Sequence, residues 1–372
     1  MPVAPFRIES LALRQFRNVE RADVAELPRF TVFSGDNGHG KTSVLEAIYF
    51  VCTSKSFRTT KLAEMVRHGA QAAHVRATAL EGSDRREQAV GLEGARRSVT
   101  LAGKRPPSLA SYAVKSPVVV FHPGEMVLSS GPASKRRTLL DRVALFVDPT
   151  SMDHLARYTA AARSRQRALE TRGEEAADLE AFEHIMARHG AALTRARRQA
   201  FDRILPELVR SFERITAEPR PLTAAYEAGG SDDEATLKAA LRGGRERDRY
   251  RGSAGAGPHR DDLVLELGAH DVRSDASQGE HRAVTMALKM AELSCIAEAR
   301  CAHPVLLLDD VSSELDISRT ALLFEFLRES PGQIFLTTTR PSLIDTKGLT
   351  SAERRDFHLV RGVLCEGPAG GA

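Results

Sequence analysis

The chain has 372 residues, 42% of them hydrophobic and 27% charged, and a formal net charge of +4. That length exceeds one average domain, and the balance of apolar and charged residues excludes a disordered or collagen-like chain. No apolar run reaches the ~18–20 residues needed to cross a bilayer and the N-terminus has no secretory-signal pattern, so a cytoplasmic protein without a membrane partner is expected.

Residues 7–13 and 30–34 are short β-rich runs, and the second leads into Gly-Asp-Asn-Gly-His-Gly-Lys-Thr at 35–42. This is a complete phosphate-binding loop, followed by a helix-like apolar run at 43–50. Gly35, Gly38 and Gly40 let the backbone of Asp36, Asn37 and His39 turn its N–H groups toward a phosphate at the positive end of a helix. Lys41 supplies a point charge to the β- and γ-phosphates, and Thr42 a hydroxyl to Mg²⁺. The chemistry indicated is binding of a nucleoside triphosphate with Mg²⁺.

Further strands are expected at 73–79, 88–91, 98–101 and 117–121, which makes residues 1–130 the first part of an α/β ATPase lobe. Beyond Pro132 the apolar period becomes helical: Phe182, Ile185, Met186 and Leu193, then Phe201, Ile204, Leu205, Leu208 and Phe212, fall on single faces. A mainly helical insertion is expected over 131–254, ending in the polar, glycine-rich stretch 229–257. The whole formal charge excess falls in that insertion. Its clusters include Lys135-Arg136-Arg137 and Arg163/Arg165/Arg167, and Arg136, Arg137, Arg163 and Arg167 are candidates to follow a nucleic-acid backbone. Solvated helix faces are the plainer reading of any one cluster.

The ATPase lobe is expected to resume over 255–372, with a strand at 263–267 and a long helix at 282–299. Ser277-Gln278-Gly279-Glu280 precedes that helix, spaced as a capping box; read functionally, its helix N-terminus makes an anion site for a γ-phosphate. Val305-Leu306-Leu307-Leu308-Asp309-Asp310 describes a buried parallel strand whose carboxylates emerge at its C-terminal end. Asp309 would bind Mg²⁺ directly or through a coordinated water, and Asp310 would orient the attacking water. Ser313-Glu314-Leu315-Asp316 follows. Cys52, Cys295, Cys301 and Cys365 have neither metal-ligand nor disulfide-framework spacing and read as reduced thiols.

The order of phosphate loop, helical insertion, Ser-Gln-Gly turn, acidic strand and Ser-Glu-Leu-Asp resembles the ABC-type ATPases of chromosome maintenance, and within them the RecF family. The marks are Phe16-Arg17-Asn18, Ser56-Phe57-Arg58-Thr59, Pro123-Gly124-Glu125, Arg136-Arg137 with Leu140-Asp141, Gly257-Pro258-His259-Arg260-Asp261-Asp262, and the stretch 309–316. Two positions depart: Glu280 stands where the family usually has Gln, and Gly124-Glu125 replaces the more usual pair of acids. The resemblance implies an ABC-type ATPase head with an inserted helical lobe, and an ATP-dependent homodimer in which Ser277 of one subunit caps the ATP of the other. It also implies binding of double-stranded and gapped DNA near the nucleoid, partnership with RecR and RecO in loading RecA, and slow hydrolysis that serves release. A small-molecule P-loop kinase or a transporter-type ATPase subunit would account for 35–42 and 305–310 but not for the Ser277 turn or 313–316. The His259-Arg260-Asp261-Asp262 run reads as a structural element on the nucleotide or interface side rather than as acid/base chemistry.

Overall fold

The computed structural model describes residues 4–94, 96–216, 220–310, 331–341, 350 and 352–367. The chain divides into two compact units, one made of Met1–Glu125 with Ile296–Ala372 and the other of Met126–Cys295.

The first unit begins with β1 (Ala4–Phe16), β2 (Val19–Val24) and β3 (Phe30–Ser34), then α1 (Lys41–Thr53). It continues with β4 (Ala72–Glu81), β5 (Asp84–Glu93), β6 (Arg96–Leu101), the short α2 (Leu109–Ala113) and β7 (Val118–Phe121). The second unit holds α3 (Val127–Ser130), α4 (Ala133–Val147), α5 (Ser151–Arg172), α6 (Leu179–Ile215), β8 (Leu222–Glu227), α7 (Glu234–Gly243) and α8 (Arg245–Arg251). It goes on through β9 (Asp262–Leu267), β10 (His270–Asp271), α9 (Val272–Asp275) and α10 (Gln278–Arg300), whose last turn already belongs to the first unit. β11 (Ala302–His303), β12 (Val305–Leu308), β13 (Ile334–Thr338), β14 (Arg354–Val360) and β15 (Val363–Glu366) complete the first unit.

Two sheets build the first unit. One, in the order β11-β1-β4-β5-β6 with β2 beside β1, is antiparallel apart from the β1–β11 pair. The other, β15-β14-β3-β13-β12-β7, is parallel from β14 to β7. α1 is apolar on nearly every side, the pattern of a helix with no solvent face, and Leu45, Ile48 and Phe50 join a core fed by both sheets. Phe33 of β3 stacks on Phe335 of β13 and on Phe357 of β14, with ring centroids 6.3 and 5.7 Å apart. Because β3, β13 and β12 run parallel and adjacent, the chain leaves all three at the same sheet edge, where α/β sheets hold their ligands.

The second unit is mainly helical, as expected, but its far boundary is Cys295 rather than residue 254. The reason is β9, which pairs antiparallel with β8 from Leu222↔Leu267 to Glu227↔Asp262 and so belongs to the inserted unit. The stretch 229–257, polar, rich in glycine and without apolar periodicity, contains α7 and α8. α7 buries only Leu237 and Leu241, and two apolar residues among many charges carry too little periodicity to announce a helix. Glu183 and Asp248, both buried, neutralise Arg165 and Arg245 among α5, α6 and α8.

Candidate functional site

β3 ends at Ser34 and α1 starts at Lys41, so residues 35–40 make the whole turn. Gly35 has φ +142°, and a Cβ there would stand 2.5 Å from the Leu359 carbonyl oxygen of β14. Only glycine lets the turn lie that close to the sheet. Gly40, at φ +107°, is the residue before the helix, and Asn18 occupies the space beside it.

Asn18 fastens the loop from outside. Its Nδ2 donates to the Gly38 carbonyl (3.1 Å) and its Oδ1 accepts from the Ser43 hydroxyl (2.9 Å), so one side chain ties the tip of the loop to the first turn of α1. Lys41 is buried at the base, its ammonium donating to the carbonyls of Gly35 (2.7 Å) and Asp36 (2.9 Å). The His39 Nδ1 lies 3.2 Å from the Leu359 carbonyl oxygen, so the loop also rests on β14.

The acidic strand meets the loop directly. The Thr42 hydroxyl donates to Asp309 Oδ1 at 2.8 Å, and the Thr337 hydroxyl donates to the same oxygen at 2.8 Å. Thr337 also accepts from the Asp310 N–H (2.9 Å), which holds the turn after β12. Asp310 has φ +48°, a left-handed conformation in which aspartate and asparagine are the best tolerated residues after glycine.

Both principal charges are held where water is scarce. Burial drags the Lys41 ammonium below its ordinary value against the pull of Asp310, Asp309 and Asp36. Burial likewise raises the Asp309 carboxyl above the usual aspartate value, opposed by the hydroxyl bonds from Thr42 and Thr337. A phosphate beside Lys41 and a hard cation beside Asp309 would each relieve a desolvated charge. Thr42 and Asp309 offer oxygen donors, the set Mg²⁺ prefers, and Mg²⁺ needs only one or two protein ligands when phosphates and water complete its shell. The residues therefore fit ATP and Mg²⁺. Among the described residues no three His, Cys, Asp or Glu side chains converge on another metal position.

Two sequence marks turn out to be one device. Glu46, on α1 and 0% exposed, accepts a fork from Arg17 (2.9 and 2.7 Å), a bond from Arg58 (3.2 Å) and one from the Ser56 hydroxyl. The Phe16-Arg17-Asn18 and Ser56-Phe57-Arg58-Thr59 segments thus clasp the phosphate-loop helix, through Arg17 and Asn18 on one side and Ser56 and Arg58 on the other. Phe57 packs on His122 at 4.9 Å between ring centroids, and the Gly124 N–H donates to His122 Nδ1 (3.1 Å). The unusual Gly124 therefore takes part in placing an imidazole whose charge, when present, steadies Asp309.

A second pairing of marks lies in the other unit. Asp261, fully buried, accepts from Arg197 (2.9 Å), the Tyr226 hydroxyl and the Gly229 N–H (2.9 Å). Arg197 also forks onto Asp141 (2.7 and 3.1 Å). Tyr158 and His259 meet at 2.6 Å between the hydroxyl and Nδ1. The run from 257 to 262 is accordingly structural, and it organises the helical unit around Arg197.

Arg136 and Arg137 need correcting as backbone-tracking candidates. Arg136 is buried, forked onto Asp262 (2.8 and 2.8 Å) and donating to the carbonyls of Leu128 and Gly131. Arg137 is half-buried and donates to the Asp261 carbonyl (2.8 Å). Turned inward, these guanidinium groups hold α4 to the start of β9. Arg163 and Arg167 are exposed on α5, while Arg165 between them is 1% exposed and structural.

Ser277 and Gln278 are exposed at the start of α10, in the second unit, with Gly279 half-buried. Glu280 closes the capping box: its carboxylate accepts from the Ser277 N–H (2.7 Å), and its own N–H donates to the Ser277 hydroxyl (3.3 Å). Arg220 pairs with the same carboxylate, and the Glu280 carboxyl is held below its ordinary value by these Ser277 bonds first and by Arg220 after them. Residues 313–316 lie outside the described residues. No described helix is long and apolar enough to cross a membrane.

The RecF/RecN/SMC N terminal domain family model matches residues 7–351. The chain is 38% identical over 348 residues to the DNA replication and repair protein RecF of Anaeromyxobacter sp. (strain Fw109-5), covering 91% of this chain and 94% of the relative. It is 35% identical over 349 residues to the protein of that name from Myxococcus xanthus (strain DK1622), at 91% and 92% coverage. In three dimensions it is similar to a solved structure of the recombination mediator protein RecF with ATP in the RecFOR pathway (TM-score 0.86, 24% identity, 97% and 98% coverage). It shares its fold, at TM-score 0.52 and 14% identity over 96% of this chain and 95% of the other, with the Smc head domain derived from Pyrococcus furiosus. With its phosphate loop joined to its acidic strand on an ABC-type ATPase head, this chain belongs to the RecF family of DNA replication and repair proteins.

Proposed function

We propose that the protein is a nucleotide-switched DNA-binding ATPase of recombinational repair and replication-fork restart. One observation carries this reading: the 2.8 Å bond from Thr42 to Asp309, which joins a phosphate loop to an acidic strand 267 residues away. Lys41 and the loop N–H groups of 35–42 bind the ATP phosphates, Thr42 and Asp309 hold Mg²⁺, and Asp310 orients the attacking water. Bound Mg²⁺ neutralises charge on the β- and γ-phosphates. Ser277, Gln278 and Gly279, presented at a solvent-facing helix start, cap the nucleotide of a second copy, so that ATP favours a homodimer that clamps double-stranded DNA at gaps and junctions. ATP shifts the population toward the dimer only by the contacts it makes there and not in the monomer. Weak, DNA-stimulated hydrolysis reopens the clamp, and RecR with RecO work alongside it in loading RecA. The exposed Arg163 and Arg167 are the phosphate-contacting candidates of the helical unit.

The test is the solution mass by light scattering with ADP, then with ATP and Mg²⁺. A dimer is expected with ATP alone, lost in Ser277→Arg and in Lys41→Met, the latter through failure to bind nucleotide. A monomer under every condition overturns the shared site. Phosphate transfer to an added small acceptor, with no response to DNA, would make the protein a kinase instead.

A further inference from the structure

α8 has seven residues, and helical geometry sorts them into an anchored face and a free one. On the anchored face Arg245 forks onto the buried Glu183 (2.9 and 2.7 Å). Asp248, also buried, accepts from Arg165 (2.8 Å) and from the Gly255 N–H (2.7 Å), while Gln166 donates to its carbonyl (3.4 Å). Charge-assisted bonds from three directions fix the orientation of this short helix. Arg247 and Tyr250 stand at i and i+3 on the opposite side, Arg251 follows Tyr250 with its guanidinium beside Gly255, and all three are exposed.

Tyr250 is 84% exposed. The other exposed large apolar side chains among the described residues, Leu109, Ile185, Val360 and Val363, are aliphatic and far less bare. A phenol ring held in water on an anchored helix, with Arg247 one turn before it and Arg251 next in the chain, adds nothing to the packing of its unit. Its flat apolar face gains only when a flat partner covers it, and the two arginines select a partner that is also an anion. A duplex hides its base faces within the stack, so its backbone could use the arginines but not the ring. A single strand offers both at once: an open base face and a phosphate on either side. Glu246, exposed one turn before Tyr250 on the same face, is the acidic neighbour that limits the approach of the backbone on that side.

Resting on the DNA-binding function proposed above, we infer that Tyr250, with Arg247 and Arg251, is a contact for single-stranded DNA in a gap, the ring stacking on an unpaired base and the arginines taking the flanking phosphates. The experiment compares wild type, Tyr250→Ala, Tyr250→Phe and the double variant Arg247→Gln/Arg251→Gln. Each is titrated, with ATP and Mg²⁺, against a blunt duplex and against the same duplex carrying a gap with 2-aminopurine in its single-stranded part. Tyr250→Ala should bind gapped DNA about tenfold more weakly with blunt-duplex affinity unchanged, and should lose the 2-aminopurine quenching that wild type and Tyr250→Phe show. The double variant should lose gapped-DNA affinity and become less salt-sensitive. Unchanged gapped-DNA affinity in Tyr250→Ala overturns the inference and leaves the parent function standing, as does an equal loss on blunt duplex, which would assign the helix to the backbone alone. Wild type that binds neither DNA removes both.

Discussion

Asp309 carries a carboxyl that burial pushes toward its protonated form, and it is nevertheless the group best placed to hold a cation. A raised value in the folded chain means that folding favours the proton. The cost of charging Asp309 is absent at low pH, grows as pH climbs past the ordinary aspartate range, and is complete above the folded value. Asp309→Asn is therefore expected to melt no lower than wild type at pH 7, since an amide oxygen still accepts from Thr42 and Thr337, while Mg²⁺-dependent hydrolysis falls at least tenfold. The melting difference should vanish on acidification. Calorimetry across pH with a paired ATPase assay checks this; an Asn variant less stable at every pH would mean that the carboxylate charge itself stabilises the fold. Asp310→Asn tests a different role. Asparagine keeps the left-handed turn at φ +48° and a polar oxygen, so nucleotide binding should survive while hydrolysis is lost. Normal hydrolysis in that variant would take Asp310 out of the mechanism.

At the scale of elements, α1 is gripped from two sides through Glu46. Breaking a buried pair costs far more than never having built it, because the partner charge is left behind without compensation. Glu46→Ala strands Arg17, whose side chain is only 16% exposed, and should lose about 3–5 kcal/mol in denaturant unfolding. Arg58→Ala removes a side chain 42% exposed and should cost about 1 kcal/mol or less. Equal losses would mean that the clasp acts through its surface arm. Sequence foretold the phosphate-loop helix and its strand, because both are apolar runs that abut the glycine-rich loop. It also supplied the segments containing Arg17, Ser56 and Arg58, but not their meeting at Glu46. The one local hint was a carboxylate inside an otherwise apolar helix, which an unpaired charge could not occupy. Arg136 shows the reverse case: in sequence it sits in a basic run, and only the turn of α4 toward Asp262 makes it internal.

For the whole molecule, the net charge of +4 is modest and most contacts with DNA should be to phosphates, since the chain has no tryptophan and no base-reading module. Binding is expected to show weak sequence preference and to weaken steeply between low and physiological salt, measured as the slope of log affinity against log salt concentration. A flat slope would contradict a clamp built on backbone charge. In the proposed cycle hydrolysis opens the clamp, so Asp310→Asn should also remain on DNA with ATP for much longer than wild type, read as a slowed dissociation after a competitor challenge.

The amino-acid sequence by itself determined the nucleotide chemistry and the family, because glycine, lysine and threonine at fixed spacing and carboxylates after an apolar strand are local statements that no packing can revise. It also placed the Ser277 turn as a helix cap, since a capping box is closed within four residues. Tertiary structure decided what depends on distant residues. It drew the boundary of the helical unit at Cys295, because strand pairing between 222–227 and 262–267 leaves no trace in either segment alone. It turned Arg136, Arg165 and Arg197 inward and left Arg163, Arg167 and Tyr250 outside, a choice fixed by which carboxylates the fold buries beside each guanidinium. A charge is internal or external only with respect to its neighbours, and those neighbours are chosen by the fold.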